Sequence, residues 1–156
     1  MIHTTKEIIN LLERFYHQRD EWACVIELRS AGYSGEESRV DLWAIHCTPS
    51  DGMRAHAYEI KRSRGDWLNE LKHPVKRKFG LAVSNYFWIV AVPGVVKPEE
   101  VPGMIGLIEV DHNYLKKIIS AEYRDKVRPT WALVAGMIRK ILKQEAKRLP
   151  NLEEEI

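Results

Sequence analysis

The sequence predicts an α/β protein, in which helices cover both faces of one mixed β-sheet. Short apolar segments rich in β-branched and aromatic residues alternate with longer segments whose apolar residues recur every three or four positions. The segment YFWIVAV at 86–92 is apolar throughout, which is typical of a strand buried on both faces. A chain of 156 residues with 45% hydrophobic and 29% charged residues has the size and composition of a single domain, here 1–156.

The first predicted elements are a helix and three strands. Residues 4–18 place apolar residues at helical spacing, and Thr4 followed by Glu7 is the pattern of a capping box at a helix start. Three short apolar segments predict strands at 22–28, 39–47 and 55–61. The turn-forming segment 48–52 predicts that the last two strands form an antiparallel hairpin.

A second helix is predicted at 63–79, where Pro74 must kink or divide it. We expect its inward side to consist of Trp67, Leu68, Leu71, Val75 and Phe79. The buried strand at 86–92 follows, and Pro93 with Gly94 ends it. The predicted core therefore spans about residues 4–92.

Beyond this core the chain is predicted to add a hairpin and a C-terminal helix, within residues 104–149. Segments 104–110 and 114–121 flank a turn composition, and 131–149 is amphipathic. The second half of that helix carries Arg139, Lys140, Lys143, Lys147 and Arg148. Its composition fits contact with nucleic acid or with a partner subunit, so a homodimer stays an open alternative.

Composition also bears on the class of protein. There is no run of about eighteen apolar residues, and Lys6 and Glu7 interrupt the segment where a signal peptide would be apolar. We therefore expect a cytoplasmic protein with no membrane partner. Cys24 and Cys47 lie in apolar, strand-like segments, so we expect buried, reduced side chains rather than a disulfide or a zinc site.

Charge is concentrated in one segment although the formal net charge is only +2. Residues 61–78 contain seven basic and two acidic side chains, so the rest of the chain has a net negative charge. The basic residues are Lys61, Arg62, Arg64, Lys72, Lys76, Arg77 and Lys78.

Two carboxylates stand in predicted strands that pair with each other. If the five-residue turn is closed by Cys47 opposite Met53, paired residue numbers sum to 100 and Asp41 lies across from Glu59. Their Cβ atoms would then be about 5 Å apart, and like charges at that distance call for a shared proton or a divalent cation. Lys61 shares the face of Glu59, and a shift of one residue in register would destroy the arrangement.

Each part of this pattern has a simpler interpretation. Glu59 and Lys61 alone fit a solvated strand face with an ion pair, and the basic segment alone fits a solvated helix face. The combination favours chemistry, because an apolar strand with a central Asp, a turn, a Glu-x-Lys strand and a basic helix together supply the parts of metal-assisted phosphodiester cleavage.

Asp41 in RVDLWAI and Glu59-Ile60-Lys61 in YEIKRSRGDW resemble the PD-(D/E)XK nuclease superfamily, and the segments SRGDW, YFWIVAVPG and GLIEV are similar to MmcB-like DNA-repair proteins. The resemblance implies a restriction-endonuclease-like core of helix, three strands, helix and strand. It implies Mg²⁺ or Mn²⁺ bound by Asp41, Glu59 and the backbone carbonyl of Ile60. Lys61 would orient the attacking water or stabilise charge on the phosphate.

The resemblance also implies a function, the hydrolysis of DNA in repair, recombination or mobile-element processing. The superfamily often uses a further acidic residue from the first helix or strand. Glu27 is the preferred candidate, and Glu13 and Glu7 are the alternatives, although Glu7 also fits the capping box. Val40 stands at the position of the proline in the family's name, which many members also lack.

A rim that contacts DNA phosphates without reading sequence is predicted beside the carboxylates. Its members are Arg62, Arg64, Lys72, Lys76, Arg77 and Lys78. Trp43 and Trp67 are expected in the core rather than stacked on bases. Two alternatives to a nuclease stay open: a nucleic-acid-binding or regulatory module without catalysis, and a scaffold that uses its C-terminal helix.

Overall fold

The computed structural model describes residues 3–17, 21–30 and 38–149. Its helices are α1 (Thr5–His17), α2 (Arg64–Lys72), α3 (Lys78–Ala82) and α4 (Trp131–Arg148). Its strands are β1 (Trp22–Arg29), β2 (Arg39–His46), β3 (Ala55–Lys61), β4 (Tyr86–Ala91), β5 (Gly106–Asp111) and β6 (Tyr114–Ile119). Each predicted helix and strand is present, and residue 18 of the first predicted helix lies outside the described residues.

The six strands form one mixed sheet in which they lie in chain order. The pairs β1–β2 and β2–β3 are antiparallel, β3–β4 and β4–β5 are parallel, and β5–β6 is an antiparallel hairpin. A parallel neighbour requires the chain to cross over one face of the sheet, and α2 and α3 make that crossing between β3 and β4. The predicted mixed sheet of an α/β protein is confirmed.

Apolar side chains pack on both faces of this sheet. On one face Trp67 of α2, Phe79 of α3 and Leu133 of α4 join a cluster with sheet residues such as Trp43 and Ala57. On the other face, Ile8, Leu12 and other α1 residues pack on a second cluster, which includes Tyr58 and Ile60. Trp43 and Trp67 are buried, as expected from the sequence.

The start of α1 is a capping box. The Thr4 Oγ1 atom accepts a hydrogen bond from the Glu7 N–H at 3.1 Å, and the Glu7 carboxylate accepts one from the Thr4 N–H at 2.9 Å. Two backbone N–H groups that lack helical partners are thereby satisfied. The predicted helix start is confirmed.

Pro74 divides the second predicted helix. The helix α2 ends at Lys72, a 3-10 turn spans Pro74–Arg77, and α3 follows. The expected inward positions of Leu68 and Val75 are wrong, since these side chains are 40% and 57% exposed. Val75 lies on the 3-10 turn, where the helical periodicity that placed it inward no longer holds.

The expectation that both cysteines are buried is also wrong. Cys24 is half-buried in β1, and burial chiefly raises the pKa of its thiol to about 12. Cys47 is exposed, because it follows the last residue of β2 where the chain leaves the sheet.

The helix α4 covers the outer edge of the sheet. The side chain of Gln144 accepts a hydrogen bond from the Ile26 N–H at 2.7 Å and donates one to the Cys24 carbonyl at 3.4 Å. This amide takes the place of a further strand at the edge. The opposite side of α4 exposes Trp131 and Leu142, and the homodimer stays a prediction. None of the described helices has the length and apolarity needed to cross a lipid bilayer.

Gly106 provides a test of the packing between β4 and β5. A Cβ atom there would lie 2.3 Å from Cε3 of Trp88 and 2.7 Å from the Ala121 nitrogen. We expect Gly106→Ala to lower the free energy of unfolding by about 1–3 kcal/mol, measured by chemical denaturation. Gly103→Ala is the matched control, because no atom lies within 4 Å of its added methyl group. Equal stability of the two variants would contradict this packing.

Candidate functional site

The hairpin of β2 and β3 has the register predicted from the turn. Its paired residues are Leu42 with Tyr58, Trp43 with Ala57, Ala44 with His56, and Ile45 with Ala55. The residue numbers of each pair sum to 100, as expected. The ladder stops one pair short of Asp41 and Glu59, whose numbers continue the same register.

At the end of this ladder, the side chain of Asp41 makes a hydrogen bond to the backbone of β3. Its Oδ2 atom accepts a hydrogen bond from the Ile60 N–H at 2.8 Å. On its other side, the β1–β2 ladder also skips Asp41 and its opposite residue Glu27, although the pairs on either side keep one register. Glu27 has a φ of +53°, a conformation that strand residues rarely adopt. The sheet is therefore locally irregular at Asp41.

This irregularity changes which face of the sheet the side chains of β2 point to. In a regular strand, Val40 and Leu42 would share a face because they are two positions apart. Instead, Val40 belongs to the cluster of Trp43, whereas Leu42 belongs to the cluster under α1. Val40 and Leu42 therefore lie on opposite faces, because the strand is not regular between them.

Asp41, Glu59, Ile60 and Lys61 line one cleft of about 470 Å³. Its other lining residues are polar, namely Thr5, Ser38, Arg39, Asp66, Asn69, Glu70 and Lys76. Glu59 is partly buried at its wall. The fold thus brings together four of the five residues predicted for the metal and catalytic site, and Glu27 does not line the cleft.

Both carboxylates are costly to ionise, chiefly because they are buried. The pKa of Glu59 lies well above its ordinary value, chiefly through burial and next through the negative charge of Asp41. Burial also raises the pKa of Asp41, against the hydrogen bond from Ile60 and the charges of Arg39 and Lys61. A buried pair of like charges is relieved by a proton or by a cation. The cleft therefore favours positive charge between these carboxylates.

Lys61 is held in this cleft by a residue that sequence reasoning missed. Its Nζ lies 3.3 Å from Oε2 of Glu70, whose side chain is 5% exposed. The guanidinium of Arg77 lies 3.7 Å from the other carboxylate oxygen of Glu70. The sequence does contain a signal that Glu70 is buried. Glu70 follows the buried Trp67 by three positions, so both side chains lie on the same face of α2.

The three candidates for a further acid contact other partners, although Glu27 lies opposite Asp41 and its charge also raises the pKa of Asp41. The side chain of Glu27 is 43% exposed and lies 3.7 Å from Nζ of Lys140. Glu13 is buried and lies 2.6 Å from a guanidinium nitrogen of Arg148, and Glu7 forms the capping box. None of the three lines the cleft among the residues that the structure describes.

The three arginines of the predicted rim already have partners. Arg62 Nε donates to the His3 carbonyl at 2.8 Å, and Arg64 donates to the carboxylate of Glu100 at 2.7 Å. Arg77 is buried and also donates to the Glu70 carbonyl at 3.0 Å. A buried guanidinium does not reach a DNA backbone, so the assignment of Arg77 to the rim needs correction.

The lysines of the rim are exposed. Within residues 38–149, the side chains of Lys72, Lys76 and Lys78 make no hydrogen bond or ion pair. Lys76 also lines the cleft. Lys76 is thus an unpaired cation at the cleft, whereas Lys72 and Lys78 are exposed outside its lining.

The cleft offers oxygen ligands for a hard cation. The described part of the chain contains no cluster of three His, Cys, Asp or Glu side chains arranged for a metal ion. A bound ion would therefore rely on Asp41, Glu59 and a backbone oxygen, with water in the other positions. Mg²⁺ characteristically uses one or two carboxylates and keeps several waters. A set of two carboxylates and a backbone oxygen is of the kind that Mg²⁺ or Mn²⁺ would bind.

Comparison with known proteins identifies a similar fold but no family. No protein-family model and no curated protein matches this sequence. A solved structure of a protein of unknown function from Silicibacter pomeroyi superposes with a TM-score of 0.62 and 19% sequence identity. The match covers 98% of this chain and 93% of that chain. It supports the α/β fold, and the resemblance to the PD-(D/E)XK superfamily stays a prediction from sequence.

The raised pKa of Glu59 predicts how stability depends on pH. The Glu59 carboxyl group binds its proton more tightly in the folded protein than in the unfolded chain. The free energy of unfolding therefore falls as the pH rises from the ordinary pKa of a glutamate through the raised pKa of Glu59. Without divalent ions, we expect Glu59→Gln to raise the free energy of unfolding by about 1 kcal/mol at pH 8, and the gain to shrink toward pH 4.

Denaturant titration across this pH range measures the effect. Glu122→Gln is the control, because Glu122 is exposed. If both substitutions change stability equally at every pH, the Glu59 carboxylate is not destabilised by its site.

Proposed function

We propose that this protein is a divalent-metal-dependent nuclease that hydrolyses DNA phosphodiester bonds, in repair, recombination or mobile-element processing. The observation that carries the proposal is the convergence of Asp41, Glu59 and Lys61 in one polar cleft. Two carboxylates that repel each other next to a lysine form a binding site for a cation and a phosphate.

Each residue has a separate role in this proposal. Asp41, Glu59 and the backbone carbonyl of Ile60 hold the metal ion, which when bound supplies Lewis-acid stabilisation of the phosphoryl group. Lys61 donates hydrogen bonds to the attacking water or to a phosphate oxygen. Glu70 limits the motion of the Lys61 amine beside the reacting groups.

The charge of the cleft makes DNA binding depend on the metal ion. Its lining contains four carboxylates, of Asp41, Glu59, Asp66 and Glu70, against the three cations Arg39, Lys61 and Lys76. A phosphodiester adds a further negative charge, so it is repelled until a cation neutralises the carboxylate pair. The exposed lysines of the rim attract the rest of the DNA backbone.

The second candidate is a nucleic-acid-binding module without catalysis. It is favoured by the positions of Glu27, Glu13 and Glu7, none of which adds a carboxylate to the cleft. The exposed lysines serve binding equally well in either case. Cleavage assays separate the two candidates.

We expect the protein to nick supercoiled DNA or to degrade single-stranded DNA when Mn²⁺ or Mg²⁺ is present. Asp41→Asn and Lys61→Ala should each lower the initial rate by at least about 100-fold, because each removes a group that acts on the transition state. Lys116→Ala should retain the rate, since Lys116 is an exposed lysine outside the cleft. Gel electrophoresis measures cleavage, and circular dichroism checks that each variant is folded.

If the folded Asp41→Asn and Lys61→Ala variants cleave DNA at the parental rate, this cleft is not the active site. Salt-sensitive DNA binding without cleavage under either metal would instead select the second candidate.

A further inference from the structure

A second cavity, of about 460 Å³, lies on the α1 face of the sheet. Its walls are mainly aromatic, formed by Phe15, Tyr16, Trp22, His56, Tyr58 and Trp88, and we call it the aromatic pocket. Its volume is in the range of small-molecule sites. Tyr58 and Glu59 are neighbours on β3 and point to opposite faces, so the aromatic pocket and the carboxylate cleft lie on opposite sides of the sheet.

The pocket exists because one helix covers only part of this face. Six strands span roughly 25 Å, whereas a helix covers about 10 Å. The helical residues of the apolar cluster on this face all belong to α1. Beyond α1 the sheet carries rings that stand nearly parallel: His56 and Trp88 make an angle of 13°, and Tyr58 and Trp88 one of 15°. Planar ligands stack on such rings.

His56 adds a hydrogen-bond donor to the pocket. The Trp88 Nε1–H donates to Nδ1 of His56 at 3.0 Å, so Nδ1 is an acceptor and carries no proton. Burial lowers the pKa of His56 to about 4, and the ring is therefore neutral at pH 7 with its proton on Nε2. Within the described structure Nε2 has no hydrogen-bond partner. It is available to an acceptor on a ligand.

Lys117 supplies the only positive charge among the described residues that line the pocket. It lies opposite Ile108 in the β5–β6 ladder, and its exposed side chain makes no ion pair with any described residue. The adjacent Lys116 lies opposite Glu109 and is not among the lining residues. An apolar, ring-lined cavity with one unpaired lysine selects a ligand that has an aromatic part and an anionic part.

We propose that the aromatic pocket binds a mononucleotide, with the base stacked on the aromatic rings and the phosphate beside Lys117. A base presents a π-face for stacking on these rings, and the nucleotide also carries acceptor oxygens for the Nε2–H of His56. A single benzene-sized ring would leave much of the volume empty, whereas a base with its sugar and phosphate fills more of it. This site does not depend on the proposed nuclease activity.

Isothermal titration calorimetry in the absence of divalent ions tests this site with AMP, GMP, CMP and UMP. Adenosine lacks the phosphate of AMP, and ribose 5-phosphate lacks its base. Each should bind at least about tenfold more weakly than AMP. Lys117→Ala should weaken AMP binding about tenfold through loss of a charged hydrogen bond, and Lys116→Ala should leave it within twofold.

A second variant blocks the pocket without removing its rings. Leu115→Trp places a larger side chain in the wall, and it should abolish AMP binding while the melting temperature stays at or above the parental value. Competition by a 5′-phosphorylated oligonucleotide would identify a strand end as the source of the nucleotide, and lack of competition would identify a free nucleotide.

Failure of all four nucleotides to bind at millimolar concentration would overturn the proposal. So would AMP binding of parental strength in both Lys117→Ala and a folded Leu115→Trp variant. Because the assay needs neither metal nor cleavage, its failure leaves the nuclease proposal intact.

Discussion

The register of β2 against β3 is the constraint on which the candidate site depends. It carries Asp41 and Glu59 to adjacent positions at the end of the hairpin, where burial makes their mutual repulsion costly. The Asp41 carboxylate also accepts the Ile60 N–H, so the same residue joins the strands and contributes charge to the cleft. A shift of one residue would turn these side chains to the other face and abolish both contributions.

Glu70 connects this strand pair to the helical layer. Its buried carboxylate lies near Lys61 of β3 and near Arg77, which follows the break at Pro74. A buried charge that loses its partner is strongly destabilising, so the three groups hold one another in place. The basic segment therefore has two parts: Lys61 and Arg77 belong to a buried network, whereas Lys72, Lys76 and Lys78 remain on the surface.

Local patterns predicted much of this architecture. The turn at 48–52 determined the strand register, and Thr4 with Glu7 determined the start of α1. Contacts between distant segments were not predictable from one sequence. Arg64 pairs with Glu100, which is 36 residues away, and no local signal distinguishes this arginine from one that contacts DNA. Glu27 has a left-handed backbone where an ordinary strand was expected, and its side chain pairs with Lys140 of α4.

The proposed function requires that Asp41 and Glu59 together bind a divalent cation, and calorimetric titration of the DNA-free protein with Mn²⁺ at pH 7.5 measures that binding. The matched control is Asp66→Asn, because Asp66 lines the same cleft but is exposed on α2. We predict that Asp41→Asn weakens Mn²⁺ binding by at least about tenfold and that Asp66→Asn changes it by less than about threefold. Absence of Mn²⁺ binding by the parental protein, or equal affinity in the Asp41→Asn variant, would contradict this proposal.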